Sequence, residues 1–198
     1  MKCAIVLNGD FTENYDFGGV GKIIACDAAF SELQKRGIKP DIVLGDFDSL
    51  GFSPDNAIKY PVEKDMTDGE LAIEYAFKEG YKDIDIVSFG GKREDHFLGN
   101  LSLLIKAKRM GLNACGVTNY SKIFYLEKGF FSFEVGVGET VSLFTFESCF
   151  VKESSGLKYP YHDTTLKSDS TLGISNITTE KSFSFEIAEG SVFLIINH

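Results

Sequence analysis

The sequence predicts an N-terminal α/β part, a mostly parallel Rossmann-like sheet with flanking helices, followed by a C-terminal antiparallel β-sandwich. Three observations predict it. Up to about residue 120, short apolar runs alternate with segments of helical period. After about Ser121, apolar and polar residues alternate, glycines mark the turns, and no helical period is left. No Pro- or Ser-rich linker separates the two regimes, so the division is set at 1–120 and 121–198 and the parts are expected to touch.

In the first part the strand candidates are Lys2–Leu7, Lys22–Cys26, Asp41–Leu44, Ala57–Val62, Ile84–Phe89 and Ala114–Thr118. Helices are expected at Ala28–Arg36, Asp68–Glu79 and Phe97–Met110. The middle helix is well marked: Thr67 and Glu70 form a T-x-x-E capping box, and Gly80 stops it. Glu70, Glu74 and Lys78 are expected to form its solvent stripe. The third helix carries Phe97, Leu101, Leu104 and Ile105 on one face and ends at Gly111. "GGVGK" at Gly18–Lys22 lacks the spacing and the following Ser/Thr of a Walker A loop and reads as a plain loop. In the second part, "KIFYLEKGFFSFEVGVGETVSLFTFES" and "SFSFEIAEGSVFLIIN" carry the two-residue alternation of antiparallel strands.

Composition excludes several classes of function. The formal net charge is −9, which argues against broad contact with nucleic acid or anionic membrane. No apolar run is long enough to cross a bilayer, and the five-residue apolar stretch after the first residues is too short for a secretory signal. Cys3, Cys26, Cys115 and Cys149 are scattered through strand-like segments without a CxxC pair, as expected of reduced, buried thiols in a cytoplasm. The three histidines are not spaced to complete a zinc site.

In an open α/β sheet, ligands bind beyond the carboxyl ends of the strands. The second strand ends at Asp27 and the third in "GDFDS", with Asp46, Asp48 and Ser49. The approach to the middle helix carries Lys64, Asp65, Thr67 and Asp68, and the fifth strand ends in "GGKREDH", with Lys92, Arg93, Asp95 and His96. Alone, each group has an ordinary reading: Asp27 and Asp68 as acids at helix N-termini, "DFDS" as a solvated turn, "GGKREDH" as a turn with a surface ion cluster. Together, carboxylates at several strand exits beside Gly-Gly, Lys and Arg are what a site for Mg²⁺ and a polyphosphate requires. The crowding of like charge is tolerable if a divalent cation lies between the carboxylates.

"ACDAA", "GDFDS", "EKDMTDGELA" and "GGKREDHFLGNL", with "SSGLKYPYHDTTL" and "LGISN" in the β-rich part, resemble the thiamine pyrophosphokinase family in order and interval. The resemblance covers nearly the whole chain. It implies transfer of a pyrophosphoryl group from ATP to the hydroxyethyl oxygen of thiamine, giving thiamine pyrophosphate and AMP. It also implies a homodimer whose site is shared between the catalytic part of one subunit and the β part of the other. By the resemblance Asp46, Asp48, Asp68 and Asp95 are metal and catalytic positions, and Arg93 is catalytic. Asp27, Ser49, Lys64, Thr67 and His96 fall at nucleotide-binding positions, and Ser175 and Asn176 at thiamine-contacting ones. Two departures stand out. A Lys-Arg pair follows the glycines where the usual pattern is GGRxDH, leaving Lys92 as either a phosphate ligand or a solvated lysine. Trp is absent, so Tyr159 or Tyr161 is left to stack on thiamine or to pack in a core. Two other readings stay open: a Mg-dependent pyrophospho- or nucleotidyl-transferase or phosphohydrolase with a different acceptor, and a non-catalytic thiamine- or nucleotide-binding module.

Overall fold

The computed structural model describes residues 1–47, 52, 54–61, 63 and 65–198. The expected sites Asp48, Ser49 and Lys64 lie outside the described residues. The chain divides into two compact units, Met1–Asn119 and Tyr120–His198.

The first unit is built on six parallel strands: β1 (Lys2–Val6), β2 (Lys22–Cys26), β3 (Ile42–Gly45), β4 (Ala57–Lys59), β5 (Asp83–Val87) and β6 (Asn113–Val117). Their spatial order is β6-β5-β1-β2-β3-β4. The chain winds outward from β1 to β4, then returns to the other side of β1 with β5. This reversal opens a crevice between β1 and β5 at the carboxyl ends, where such sheets bind ligands. Helix α1 (Ala29–Lys35) covers one face, where Ala4, Val6, Ala25, Val43 and Val87 pack with Phe30 and Leu33. Helix α2 (Asp68–Lys78) packs against β1, β2 and β3, and α3 (Glu94–Arg109) against β6 and α2. Strand β1 is apolar beyond Lys2, with Cys3, Ala4, Ile5 and Val6 all fully buried, while the buried Asp85 of the neighbouring β5 accepts from Lys2 Nζ at 3.0 Å and Tyr15 Oη at 2.8 Å.

Three expectations shift. Strand β4 ends at Lys59 instead of Val62: Pro61 has no N–H for a ladder, and Val62 itself is outside the described residues. Helix α3 starts three residues earlier than its apolar period suggests, because Glu94 and Asp95 occupy its first turn, where the helix dipole favours acid. Asp95 and His96 are therefore helical. Thr67 does cap α2, its Oγ1 accepting the Glu70 N–H at 3.3 Å. Glu70 and Glu74 do not form a solvent stripe. Both accept from Lys106 Nζ on α3, at 2.7 and 2.6 Å, so this side of α2 is tied to its neighbour.

The second unit is antiparallel: β7 (Ser121–Glu134), β8 (Thr140–Phe144), β9 (Ser148–Ser155), β10 (His162–Lys167), β11 (Asn176–Ile177) and β12 (Ser182–Asn197). Strands β7 and β12 form one long ribbon. The first half of β12 pairs with β9, which carries β10; the second half pairs with β8, which carries β11. The change falls at the irregularity between Ile187 and Ser191. Before it, odd-numbered Phe183, Phe185 and Ile187 enter the core; after it, even-numbered Val192, Leu194 and Ile196 do. Four residues of β12, from Ile187 to Ser191, span only two of β7, from Gly129 to Glu127, and across this break the buried positions change parity, so one strand pairs with β9 before it and β8 after it.

Candidate active site

A cavity of about 500 Å³ opens in the first unit over the β1–β5 crevice. Four segments supply its walls. Leu7, Asn8 and Gly9 come from the exit of β1, and Cys26 and Asp27 from the end of β2. Met66 to Gly69 come from the start of α2, and Phe89 and Gly91 to Arg93 from the exit of β5. Asp95, His96, Gly99 and Asn100 of α3 close it. Seven of the expected site residues thus meet in one cavity: Asp27, Thr67, Asp68, Lys92, Arg93, Asp95 and His96.

The backbone at these exits is tightly specified. Asp27, Phe47, Ser88 and Lys92 have φ of 44°, 63°, 56° and 61°, left-handed values that are unfavourable for residues with a side chain. Asp27 N–H donates to Leu44 O at 2.8 Å, and Ser88 N–H to Thr12 Oγ1 at 3.0 Å. Leu7 N–H donates to Val87 O at 3.0 Å and Asp10 N–H to Gly90 O at 2.8 Å, which zips the β1 exit to the β5 exit. Gly9 lies so close to this seam that a Cβ there would fall well inside 3.0 Å of the Ser88 and Gly90 carbonyl oxygens. Asn100 Nδ2 donates to Phe89 O at 2.7 Å and ties α3 to the same loop.

The electrostatics are of mixed sign. Asp27 and Asp68 are half-buried and close enough to Cys26 to act on its thiol. Burial first, and then the charges of Asp68 and Asp27, push that thiol well above its ordinary range, so it is a neutral part of the wall. On the opposite side Arg93 grips Asp95 through Nε–Oδ1 at 3.0 Å and Nη2–Oδ2 at 2.5 Å. That hydrogen-bonded pairing holds the Asp95 carboxyl below the usual carboxylate range. His96 is exposed, and its N–H donates to Asp95 Oδ1 at 2.9 Å. Lys92 Nζ donates to Asn8 Oδ1 at 3.1 Å. Asp46 follows the end of β3, half-buried and outside the cavity lining. Among the described residues no three His, Cys, Asp or Glu side chains gather closely enough to form a metal cluster by themselves.

In the second unit, Ser175 is exposed with φ 61°, and its N–H donates to Ser142 Oγ at 2.9 Å. Asn176 is 4% exposed, and its amide is fully used. Nδ2 donates to Tyr159 O at 2.6 Å, while Oδ1 accepts from the N–H groups of Tyr159 and Ile177. Asn176 therefore fixes the backbone that presents Tyr159. The two tyrosines part company: Tyr161 packs in the core, whereas Tyr159 is 59% exposed with Lys158 Nζ 5.4 Å from its ring centroid.

Reading the sequence for charge at strand exits missed Asn8, Gly9 and Asn100. The β1 exit, "LNGD", was open to the same strand-exit rule, but its first residues are neutral.

Comparison with known proteins identifies a family. The profile described as "Thiamin pyrophosphokinase, catalytic domain" matches residues 20–115, and "Thiamin pyrophosphokinase, vitamin B1 binding domain" matches 131–192. The thiamine pyrophosphokinase of Bacillus subtilis is 30% identical over 182 residues, spanning 87% of this chain and 85% of its own. A crystal structure of the thiamine pyrophosphokinase from Bacillus subtilis superposes with a TM-score of 0.88 at 26% identity, covering 100% of this chain and 99% of the other. The thiamin pyrophosphokinase of Geobacillus thermodenitrificans gives 0.86 at 25% identity, with 100% and 98% covered. With both profiles matched in order and a relative at this identity over most of both chains, the protein belongs to the thiamin pyrophosphokinase family.

Proposed function

We propose that the cavity of the first unit binds ATP and that the chain transfers its pyrophosphoryl group to the hydroxyethyl oxygen of thiamine, releasing AMP. One observation carries the assignment of the site. Acidic and basic side chains from the exits of β2 and β5 and from the starts of α2 and α3 line a single cavity over the β1–β5 crevice. Phosphoryl-type transfers pass through loose transition states, so catalysis rests on alignment and charge neutralisation. Arg93 and Lys92 face the phosphates, joined by Lys64 from its segment, and Thr67, Ser49, His96 and Asp27 complete the nucleotide contacts. Arg93 neutralises charge that develops on the leaving AMP, with Asp95 holding its guanidinium at the cavity mouth. Asp48 or Asp68 takes the hydroxyl proton. Ser175, Asn176 and Tyr159 serve thiamine: Ser175 by direct contact, Tyr159 by its exposed ring, and Asn176 through the Tyr159 backbone.

The donors fit Mg²⁺. They are hard carboxylate oxygens, and Mg²⁺ accepts one or two of them beside phosphate oxygens and water, so a closed protein cluster is not required. Asp68 would hold it from the cavity lining, joined by Asp46 and Asp48 from the segment that follows β3, with Asp95 adjoining. Bound there, it would neutralise phosphate charge. We further propose a homodimeric enzyme of the cytoplasm. Four buried free thiols suit a reducing compartment, and multi-angle light scattering tests the dimer.

The test is AMP release from MgATP with and without thiamine. We expect thiamine-dependent AMP and thiamine pyrophosphate in equal amounts, and a loss of at least about 10²-fold for Asp68→Asn and Asp46→Asn with unfolding unchanged. AMP release indifferent to thiamine would replace the acceptor. Near-full turnover in both variants would overturn the site.

A further inference from the structure

The two cations at the β5 exit are not equivalent. Arg93 is compensated by Asp95 through two hydrogen bonds. Lys92 engages no carboxylate among the described residues; its ammonium donates to the neutral side-chain amide of Asn8, 84 positions away in sequence. Both ends of this bridge sit on fixed backbone. Lys92 is left-handed at φ 61°, following Gly91 at 83°, and Arg93 N–H closes the turn on Gly91 O at 2.8 Å. Asn8 lies between the two backbone bonds that zip β1 to β5, Leu7 to Val87 and Asp10 to Gly90.

We propose that Asn8 is a positioning residue for the nucleotide: it holds the Lys92 ammonium over the cavity while leaving its charge uncompensated. This rests on the reading of the cavity as an ATP site. A lysine stem has four rotatable bonds, and without an acceptor its head would spread through solvent. A carboxylate acceptor would localise the head but cancel its charge, in a cavity that already holds Asp27 and Asp68. A neutral amide does the first without the second. An ammonium has three donors, so Lys92 can keep Asn8 and still meet phosphate oxygens. The Lys-Arg pair after the glycines thereby divides the work: Arg93 is tethered to acid at the mouth, and Lys92 is held ready for the triphosphate.

The test is a double-mutant cycle on the full chain, read by calorimetric binding of the Mg²⁺ complex of α,β-methylene-ATP, which cannot undergo the transfer. Lys92→Ala should weaken binding at least about tenfold, and Asn8→Ala about threefold to tenfold. Asn8→Asp should weaken it more than Asn8→Ala, because it adds charge compensation to the contact. In the Lys92→Ala background, Asn8→Ala should change binding less than about twofold. In turnover, Asn8→Ala should raise KM for ATP and leave KM for thiamine unchanged, a split that loosened folding would not give. Equal losses from Asn8→Ala with and without Lys92, or wild-type binding by Asn8→Ala, would overturn the proposal. Wild-type AMP release with thiamine separates the two readings. If it is present while the cycle is additive, only the role of Asn8 fails; if it is absent while the cycle couples, only the acceptor reading fails.

Discussion

Gly9→Ala is the sharpest test of how the cavity is built. A methyl group at this position would fall well inside 3.0 Å of the Ser88 and Gly90 carbonyl oxygens. Both are backbone atoms, so no side-chain rotation relieves the clash. The β1 exit must move away from the β5 exit, and the Asp10 N–H to Gly90 O bond of 2.8 Å must stretch or break. Overpacking of this kind costs about 1–3 kcal/mol, and a lost hydrogen bond about 1 kcal/mol. The sum, about 2–4 kcal/mol, corresponds to a fall in melting temperature of roughly 4–16 °C for a chain of this size. The displacement also moves Asn8 away from Lys92, so nucleotide binding should weaken together with stability. Differential scanning calorimetry and titration with MgATP measure the two effects. Gly37→Ala is the comparison: with φ 69° but nothing within 4 Å of a built Cβ, and no place in the cavity lining, it should lose stability through backbone strain and keep nucleotide binding unchanged. A Gly9→Ala protein that melts and binds nucleotide like wild type would refute the close approach of the two exits.

Four further outcomes follow. Ser88→Gly should raise stability by about 1 kcal/mol in urea melts, because Ser88 is left-handed and its buried Oγ has no partner among the described residues. Gly99→Ala, within α3 with open space around the new methyl, should also stabilise by about 0.5–1 kcal/mol. Phe185→Ala should cost about 3–5 kcal/mol, because the side chain is fully buried among Phe131, Phe133 and Phe183; a loss below about 1 kcal/mol would contradict that packing. Lys106→Met should cost about 1 kcal/mol or less at neutral pH, since the ion pairs are partly solvated. Glu74 is held below its ordinary value of 4.5 by the Lys106 hydrogen bond, so its contribution is full above that value and disappears as pH falls through the lowered one. Lys106 is raised above 10.5 by Glu70 and then Glu74, so its contribution is full below 10.5 and is lost as pH rises through the raised value. The wild-type advantage over Lys106→Met should therefore shrink at both extremes of pH in denaturant melts.

Much of this was legible in the sequence because it rests on local rules. Strand β2 begins and ends where its apolar run does, and α2 starts where Thr67 can cap it. The cavity gathers Asp27, Asp68 and the "GGKREDH" residues because parallel strands bring their carboxyl ends to one edge. What could not be read depends on distant partners. Glu70 and Glu74 look like a solvated stripe until Lys106 arrives from the next helix. The reversal of the buried face in β12 is set by a bulge that a 16-residue alternating segment hides. Asn8 carries no charge and so stands outside the acidic pattern of the strand exits, although the central place of β1 puts its exit beside the crevice. Asn176, expected to contact thiamine, has every polar atom committed to Tyr159 and Ile177, which two adjacent letters in "SN" cannot reveal.

The strained backbone and the side chains that line the cavity coincide for a physical reason. Six residues other than glycine have positive φ among the described residues. Four of them, Asp27, Phe47, Ser88 and Lys92, follow the ends of β2, β3 and β5. A strand that simply continued would carry its side chains away from the crevice, alternating between the two faces of the sheet. A left-handed residue turns the chain sharply at the edge, so that Asp27 and Lys92 line the cavity. Each such residue costs on the order of 1–3 kcal/mol, and the strands beneath must offset it. Ile24, Ala25, Val43 and Leu44 are fully buried there, supporting the turns at Asp27 and Phe47, and Ile86 and Val87 do so below Ser88. The sheet thus acts as a rigid base that holds unfavourable turns at its rim. The order of the site then comes from apolar packing several residues away from any charged group.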